Sequence, residues 1–194
     1  MPALPAPSPL TAPSLGVETR TFSGWRWAAV VLAFPIAGLI GGTVGGEVDA
    51  AGAALIGGAL TGGGLGAAQW LAARDIFGEW PVWVGASAAG YGVGLAAGAA
   101  LVGYETDLGS LAAMGAVSGA VLGGFQGLAL AAQDRKRLAV AWGVAMPALL
   151  AIGWSVTTLG GIDVDQQFTV FGAYGAVVFT LLTGLLLTRF TPRS

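Results

Sequence analysis

The sequence predicts an all-α membrane protein in which six transmembrane helices form three repeated helical hairpins, arranged as a pseudo-threefold bundle. Three observations lead to this prediction: a very apolar composition, a series of long uncharged segments, and a motif that recurs at a fixed interval. The chain has 194 residues, of which 55% are hydrophobic and only 9% are charged. Because a soluble domain carries about 25% charged residues, this composition is typical of a membrane protein.

Six long segments contain no Asp, Glu, Lys or Arg. A helix needs roughly 20 apolar residues to cross a bilayer, and each segment is long enough to do so. Strands of a membrane barrel would instead alternate polar and apolar residues over about 10 positions, and these segments do not. We therefore expect six transmembrane helices, at residues 27–46, 50–73, 80–104, 108–133, 138–162 and 166–188.

The positive charges predict the orientation of the helices. In this topology all eight cations fall on one side of the membrane, which the positive-inside rule makes the cytoplasmic side; they are Arg20, Arg26, Arg74, Arg135, Lys136, Arg137, Arg189 and Arg193. Both termini are then cytoplasmic, and the expected location is the inner, or plasma, membrane. Residues 1–20 are rich in proline and predict a disordered tail, residues 21–190 form the transmembrane domain, and residues 191–194 form a second short tail.

Six of the seven tryptophans fall near the cytoplasmic ends of the predicted helices, where an interfacial aromatic belt is expected. They are Trp25, Trp27, Trp70, Trp80, Trp83 and Trp142.

A repeat divides the chain into three hairpins. The pattern Gly-x-acid-x-Asp occurs at equal intervals, as GGEVD at 45–49, GYETD at 103–107 and GIDVD at 161–165. The second, fourth and sixth segments also align at equal intervals, as GALTGGGLGAAQ from 58, GAVSGAVLGGFQ from 115 and, more weakly, GAYGAVVFTLLT from 172. Each unit is a hairpin with an acidic outer turn, and the hairpins cover about residues 24–73, 80–133 and 138–189.

Glycines at every fourth position line one face of the second and fourth helices. They are Gly58, Gly62 and Gly66, and then Gly115, Gly119 and Gly123. In a bilayer such faces allow two backbones to approach closely, so we predict that they pack against other helices.

The acidic turns have two interpretations. In the first, Gly45, Gly103 and Gly161 each end a helix and the last Asp of each motif caps the next one. In the second, the threefold arrangement gathers six carboxylates at one outer mouth, where they could bind a hard cation such as Ca²⁺ or attract cations to a pore. The six acids are Glu47, Asp49, Glu105, Asp107, Asp163 and Asp165.

A second polar set lies near the cytoplasmic ends of the even-numbered helices. Gln69, Gln126 and Thr183 occupy equivalent positions in the repeat. They could form a polar ring that constricts a narrow path through the bundle. Alternatively they hydrogen-bond between helices, or reach the headgroup region.

The residues that are missing limit the function. The chain has no Cys and no His, which excludes disulfides and removes the commonest ligands of haem and transition metals, so we expect no cofactor. The spans contain no charged residue of the kind that an ion-coupled pump uses. We therefore expect a non-enzymatic accessory or scaffold protein that acts through lipids, other membrane subunits or copies of itself, with no nucleic-acid partner. The alternative is a passive channel or transporter for a small ion or solute.

One part of the chain resembles a known family. GAAQWLAAR at 66–74 and WPVWVGASAAGYGVG at 80–94 are similar to a GxAQWLxLR…WxxWVxA[ST]xxG pattern in uncharacterised, glycine-rich, multi-pass bacterial membrane proteins. A degraded second copy runs from Gly123 to Gln126, with Gly127 in place of the Trp and Ala131 in place of the Arg. The resemblance implies a bacterial membrane protein with an internal repeat, and it implies no activity.

Overall fold

The computed structural model describes residues 22–161 and 169–191, and this part of the chain forms six helices without any strand. The helices are α1 (Gly24–Gly45), α2 (Ala51–Phe77), α3 (Trp80–Leu101), α4 (Leu108–Ala131), α5 (Lys136–Leu159) and α6 (Ala173–Thr188). The first five have 22 to 27 residues and are apolar enough to cross a membrane. The prediction of a helical, multi-pass membrane protein is therefore confirmed, although the count of six spans is not. Residues 1–21 and 192–194, which include nearly all of both predicted tails, lie outside the described residues.

The sixth helix is shorter than the sequence predicts. It has 16 residues and would extend about 24 Å, which is less than the roughly 30 Å of a hydrocarbon core. Residues 169–172 precede it and are not helical, although Thr169, Val170 and Phe171 are buried. Irregular backbone at membrane depth is stable only where protein surrounds it, and the bundle provides that environment here.

The helices form a closed ring. Each packs against the next in the chain, and α6 also contacts α1. At this last seam the indole Nε1 of Trp27 donates a hydrogen bond to the carbonyl oxygen of Thr180 at 3.0 Å. Since consecutive helices run in opposite directions, the start of α1, the end of α2, the start of α5 and the end of α6 all lie at one end of the bundle.

Two irregularities shape the first hairpin. Residues Ala29–Leu32 form a 3₁₀ segment within α1, just before Pro35, which cannot donate a backbone hydrogen bond. Near the end of α2, Ala73 leaves helical geometry with φ −146° and ψ 46°. The last turn of α2 then places Phe77 in the interior, where it is fully buried.

Candidate functional site

A small cavity lies in the middle of the ring, and all six helices contribute to its wall. Its volume is about 30 Å³, which is room for one or two water molecules. Most of the lining is apolar, and the polar lining comes from Gln69, Ser87, Tyr91 and Gln126.

Gln126 ties three helices together beside this cavity. Its amide Nε2 donates to the hydroxyl of Ser87 on α3 at 2.8 Å, and its Oε1 accepts from the indole of Trp142 on α5 at 2.7 Å. The Ser87 hydroxyl in turn donates to the carbonyl oxygen of Trp83 at 2.8 Å. The Gln126 side chain is buried, so these bonds replace water as its partners.

Thr183 makes the corresponding hydrogen bond to an indole where α6 packs against α1. The Trp27 indole donates to the Thr183 hydroxyl at 3.3 Å, and that hydroxyl donates to the carbonyl oxygen of Phe179 at 2.8 Å. Thr183 is completely buried.

Gln69 occupies the third equivalent position of the repeat, and it accepts no hydrogen bond from an indole among the described residues. The side chain is 5% exposed, and its Oε1 has no hydrogen-bond partner among the described residues. The indole nitrogen of Trp83, on the adjacent helix α3, is also buried and unpartnered within the described part of the chain. The structure therefore places Gln69, Gln126 and Thr183 inside the bundle, with indole hydrogen bonds to two of the three.

An aromatic cluster closes the cation-rich end of the interior. Phe77 stacks on Trp83 with ring centroids 3.9 Å apart, and it contacts Trp27 and Trp142 at 5.8 Å each. The predicted interfacial belt is therefore wrong for these three tryptophans, which are buried because they pack around Phe77. Trp25 and Trp80 are exposed, as a belt requires, and Trp70 is partly buried.

The non-helical segment 169–172 closes the opposite end. The Tyr91 hydroxyl donates to the carbonyl oxygen of Thr169 at 2.8 Å, and the hydroxyls of Thr61 and Thr169 hydrogen-bond at 2.9 Å. Phe171 packs against Phe34, with ring centroids 5.3 Å apart. Sequence reasoning missed Tyr91, Thr169 and Phe171, because residues 166–188 read as one uninterrupted helix.

The acidic side chains of the turns are exposed where the structure describes them. Asp107 caps α4, because its carboxylate accepts from the backbone N–H groups of Gly109 at 2.9 Å and Ser110 at 3.2 Å. The Ser110 hydroxyl also donates to this carboxylate, and these bonds lower the pKa of Asp107. The prediction that Asp49 caps α2 is wrong, since α2 has Ala50 at its N-cap and no side-chain cap.

The sequence also predicts helix-ending glycines in these turns and, in the alternative interpretation, a cation site. Gly103 and Gly161 take the positive φ that ends a helix, whereas in the first turn Gly46 does so instead of Gly45. Asp163 and Asp165 lie outside the described residues. Among residues 22–161 and 169–191, no three acidic side chains come together as a metal site, and Glu47 and Glu105 are both exposed.

The glycine faces lie against the helix that follows each of them. A Cβ added at Gly62 would lie 2.4 Å from the Ser87 carbonyl oxygen of α3, and one added at Gly119 would lie 2.3 Å from the Met146 carbonyl oxygen of α5. Their neighbours on the same faces, Gly58, Gly66, Gly115 and Gly123, also leave little room for a side chain.

A groove of about 690 Å³ opens on the side of the bundle, between α1 and residues 169–177. Its lining is mostly apolar, and it includes Gly38 and Gly42 of α1, with Glu47 at one end. A Cβ added at Gly42 would meet no atom of the described residues within 4 Å, so none of them covers this part of the α1 surface.

Comparisons of the chain with protein-family models, curated proteins and solved structures give no match. The geometry of the bundle is therefore the basis for a functional proposal.

Proposed function

We propose that this chain is a non-enzymatic integral membrane protein, an accessory or scaffold subunit that acts through partners within the membrane. The observation that carries the proposal is the contrast between a filled interior and an open lateral groove. The interior leaves about 30 Å³ at its centre, whereas the groove beside α1 offers about 690 Å³.

The chemistry of the interior supports a role without catalysis or coupled transport. The buried polar side chains of the described residues are Thr, Ser and Gln, together with the hydroxyl of Tyr91 and the indoles. An ion-coupled transporter would use an acid, a base or a histidine at this depth. A conduit would need a wider path than one that ends at the cluster around Phe77.

The lining of the central cavity supports a pseudo-threefold arrangement of the three hairpins. Leu65, Leu122 and Phe179 all face the cavity from the even-numbered helices, and they are equally spaced along the chain. Residues 34, 91 and 150 face it from the odd-numbered helices at nearly the same spacing. Equivalent positions of three hairpins would meet in this way at a common axis along the membrane normal.

The groove fits a transmembrane helix of a partner subunit. Gly38 and Gly42 form part of its α1 wall. Val170 packs against Gly38, whereas Gly42 has no atom of the described residues near its Cβ position, and a small residue there allows a helix to approach closely in a bilayer. Ala173 provides an exposed small side chain on the opposite wall. The α1–α6 seam is thus the place where a seventh helix could pack most closely.

Co-purification from native membranes in mild detergent tests this proposal. Gly42→Leu puts a bulky side chain into the groove, and its Cβ would meet no atom of the described residues within 4 Å, so we expect the partner to be lost while the bundle stays folded. Gly124→Leu is the matched control, because a Cβ added at this exposed glycine likewise meets no atom of the described residues within 4 Å. A partner retained equally by both variants would exclude the groove as its binding site.

Reconstitution in liposomes tests the alternative of a conduit. We expect vesicles containing the protein to pass K⁺, Ca²⁺ and small uncharged solutes no faster than empty vesicles. Selective flux that disappears when the bundle is denatured would contradict the accessory role and favour a channel or transporter.

A further inference from the structure

A second cavity, the basic cavity, lies at the cation-rich end of the bundle. Its volume is about 590 Å³, and it is formed where α5 begins and α6 ends. Residues 134–138 and 187–191 supply most of its lining, and Ile76 of α2 supplies the rest. These segments are far apart in sequence, so the fold creates a site that no single motif shows.

Four cations and one acid line the basic cavity: Arg135, Lys136, Arg137 and Arg189, with Asp134. All four cationic side chains are exposed, so their charges stay hydrated until an anion approaches. The Arg135 guanidinium donates to the carbonyl oxygen of Asp75, which holds this side chain at the end of α2. The excess of positive charge around one concave surface favours an anionic ligand.

The beginning of α5 adds to this field. Arg135 occupies the N-cap position, and no side chain there accepts from the first backbone N–H groups. These N–H groups and the helix dipole make the N-terminal end of α5 electropositive.

Apart from Thr191, the rest of the cavity lining is apolar. Ile76, Leu138 and Leu187 are buried beneath the charges, and Phe190 is 40% exposed. A small inorganic anion would gain nothing from these side chains. An amphiphile could place its anionic group on the cations and its hydrocarbon on Phe190, the exposed apolar side chain of the lining.

We propose that the basic cavity binds the phosphate group of an anionic phospholipid from the adjacent leaflet. The cations contact the phosphate, and Phe190 packs against the glycerol and the first acyl carbons. Basic pockets between helices at the cytoplasmic face are suited to such headgroups, and this leaflet is the one that attracts cationic segments. The proposal depends on the membrane location and on a cytoplasmic position of the cation-rich end, and not on the accessory role.

Lipid binding to the full chain tests the proposal. The protein would be purified in a neutral detergent and titrated with phosphatidylglycerol or phosphatidylcholine, with bound lipid counted by native mass spectrometry. We expect a preference for phosphatidylglycerol, and a decrease in its affinity of about tenfold or more in Arg137→Gln/Arg189→Gln.

The control removes the same charge from the same end of the bundle. Arg26→Gln/Arg74→Gln alters two exposed cations outside the cavity, so we expect wild-type affinity. Equal losses in the two double variants would overturn the proposal, because they would indicate general attraction to positive charge. Equal binding of phosphatidylcholine would also overturn it, as would displacement of the lipid by inorganic phosphate at equal concentration. Lys136→Gln/Arg137→Gln provides a second test if the first variant unfolds.

Discussion

At the scale of single residues, Gln126 and Gln69 differ in how much they are expected to stabilise the bundle. They occupy equivalent positions in the repeat, yet Gln126 has partners on two other helices and the Gln69 oxygen has none among the described residues. A hydrogen bond between membrane helices contributes about 0.6 kcal/mol on average and about 1.7 kcal/mol at most. The two amides should therefore respond differently to the same substitution.

We predict that Gln126→Met lowers the free energy of unfolding by about 1–2 kcal/mol, because it removes two hydrogen bonds and leaves the Trp142 indole unpaired. Gln69→Met should change stability little or raise it, since the substitution removes an unpartnered buried oxygen. Reversible unfolding in mixed micelles measures both values. Equal losses would mean that Gln69 has a bound partner, such as a water molecule in the central cavity.

Asp107 gives a prediction that depends on pH. Hydrogen bonds from Ser110 and Gly109 lower the pKa of its carboxyl in the folded state. A lowered pKa means that the ionised group stabilises the fold above the pKa of the unfolded chain, and that this contribution is lost as pH falls through the folded-state pKa.

We therefore expect Asp107→Ala to lower the melting temperature at neutral pH, and the difference from wild type to shrink as the pH falls below about 4. Asp49→Ala is the control, since Asp49 makes no cap, and it should leave the melting temperature unchanged at either pH. A difference for Asp107→Ala that stays constant with pH would exclude the charged cap as the cause.

At the scale of helices, close backbone contact joins α2 to α3 and α4 to α5. We predict that Gly62→Ala and Gly119→Ala each destabilise the bundle by about 1–3 kcal/mol, since the new Cβ would press on a backbone carbonyl oxygen of the next helix. Gly85→Ala is the matched control within a helix, because its Cβ would meet no atom in the described part of the chain within 4 Å.

Gly85→Ala should leave the free energy of unfolding unchanged or raise it by up to about 1 kcal/mol, because alanine favours the helix more than glycine does. Unfolding of the three variants in the same detergent would decide between these outcomes. If Gly85→Ala were as damaging as Gly62→Ala, the loss would come from glycine flexibility rather than from helix contact.

The helices also show how far the sequence could be read. The uncharged segments located α1 to α5 because a span must satisfy its own backbone hydrogen bonds and tolerates few charges. The same rule failed before α6, since residues 169–172 are as apolar as a helix. The carbonyl oxygen of Thr169 is satisfied by Tyr91, and such a partner becomes visible only when distant helices are brought together.

The polar residues of the interior illustrate the same limit. Sequence spacing identified Gln69, Gln126 and Thr183 as equivalent, but it left open whether they line a path or join helices. The answer depends on the buried indoles that donate to Gln126 and Thr183. The sequence could not supply it, because it predicts that these tryptophans face the membrane surface. Amphipathic patterning could not correct this, because glycine and alanine make nearly every helix face apolar.

At the scale of the whole molecule, the two ends of the ring carry different charges. The described cations lie at the end where α1 begins, and Glu47, Asp49, Glu105 and Asp107 lie at the other end. Asp75, Glu79 and Asp134 accompany the cations, so the asymmetry is strongest for Lys and Arg, the residues that the positive-inside rule counts.

This asymmetry leads to a prediction about orientation in the cell membrane. The chain has no cysteine, so Glu105→Cys and Lys136→Cys each introduce a single thiol, on exposed residues at opposite ends of the bundle. We expect a membrane-impermeant maleimide to label Glu105→Cys in intact cells. Lys136→Cys should be labelled only after the membrane is permeabilised, because the positive-inside rule predicts that the cationic loops lie in the cytoplasm. The reverse pattern would invert the proposed topology and would move the basic cavity to the outer leaflet. Labelling of both thiols in intact cells would mean that this end-to-end arrangement does not cross the membrane.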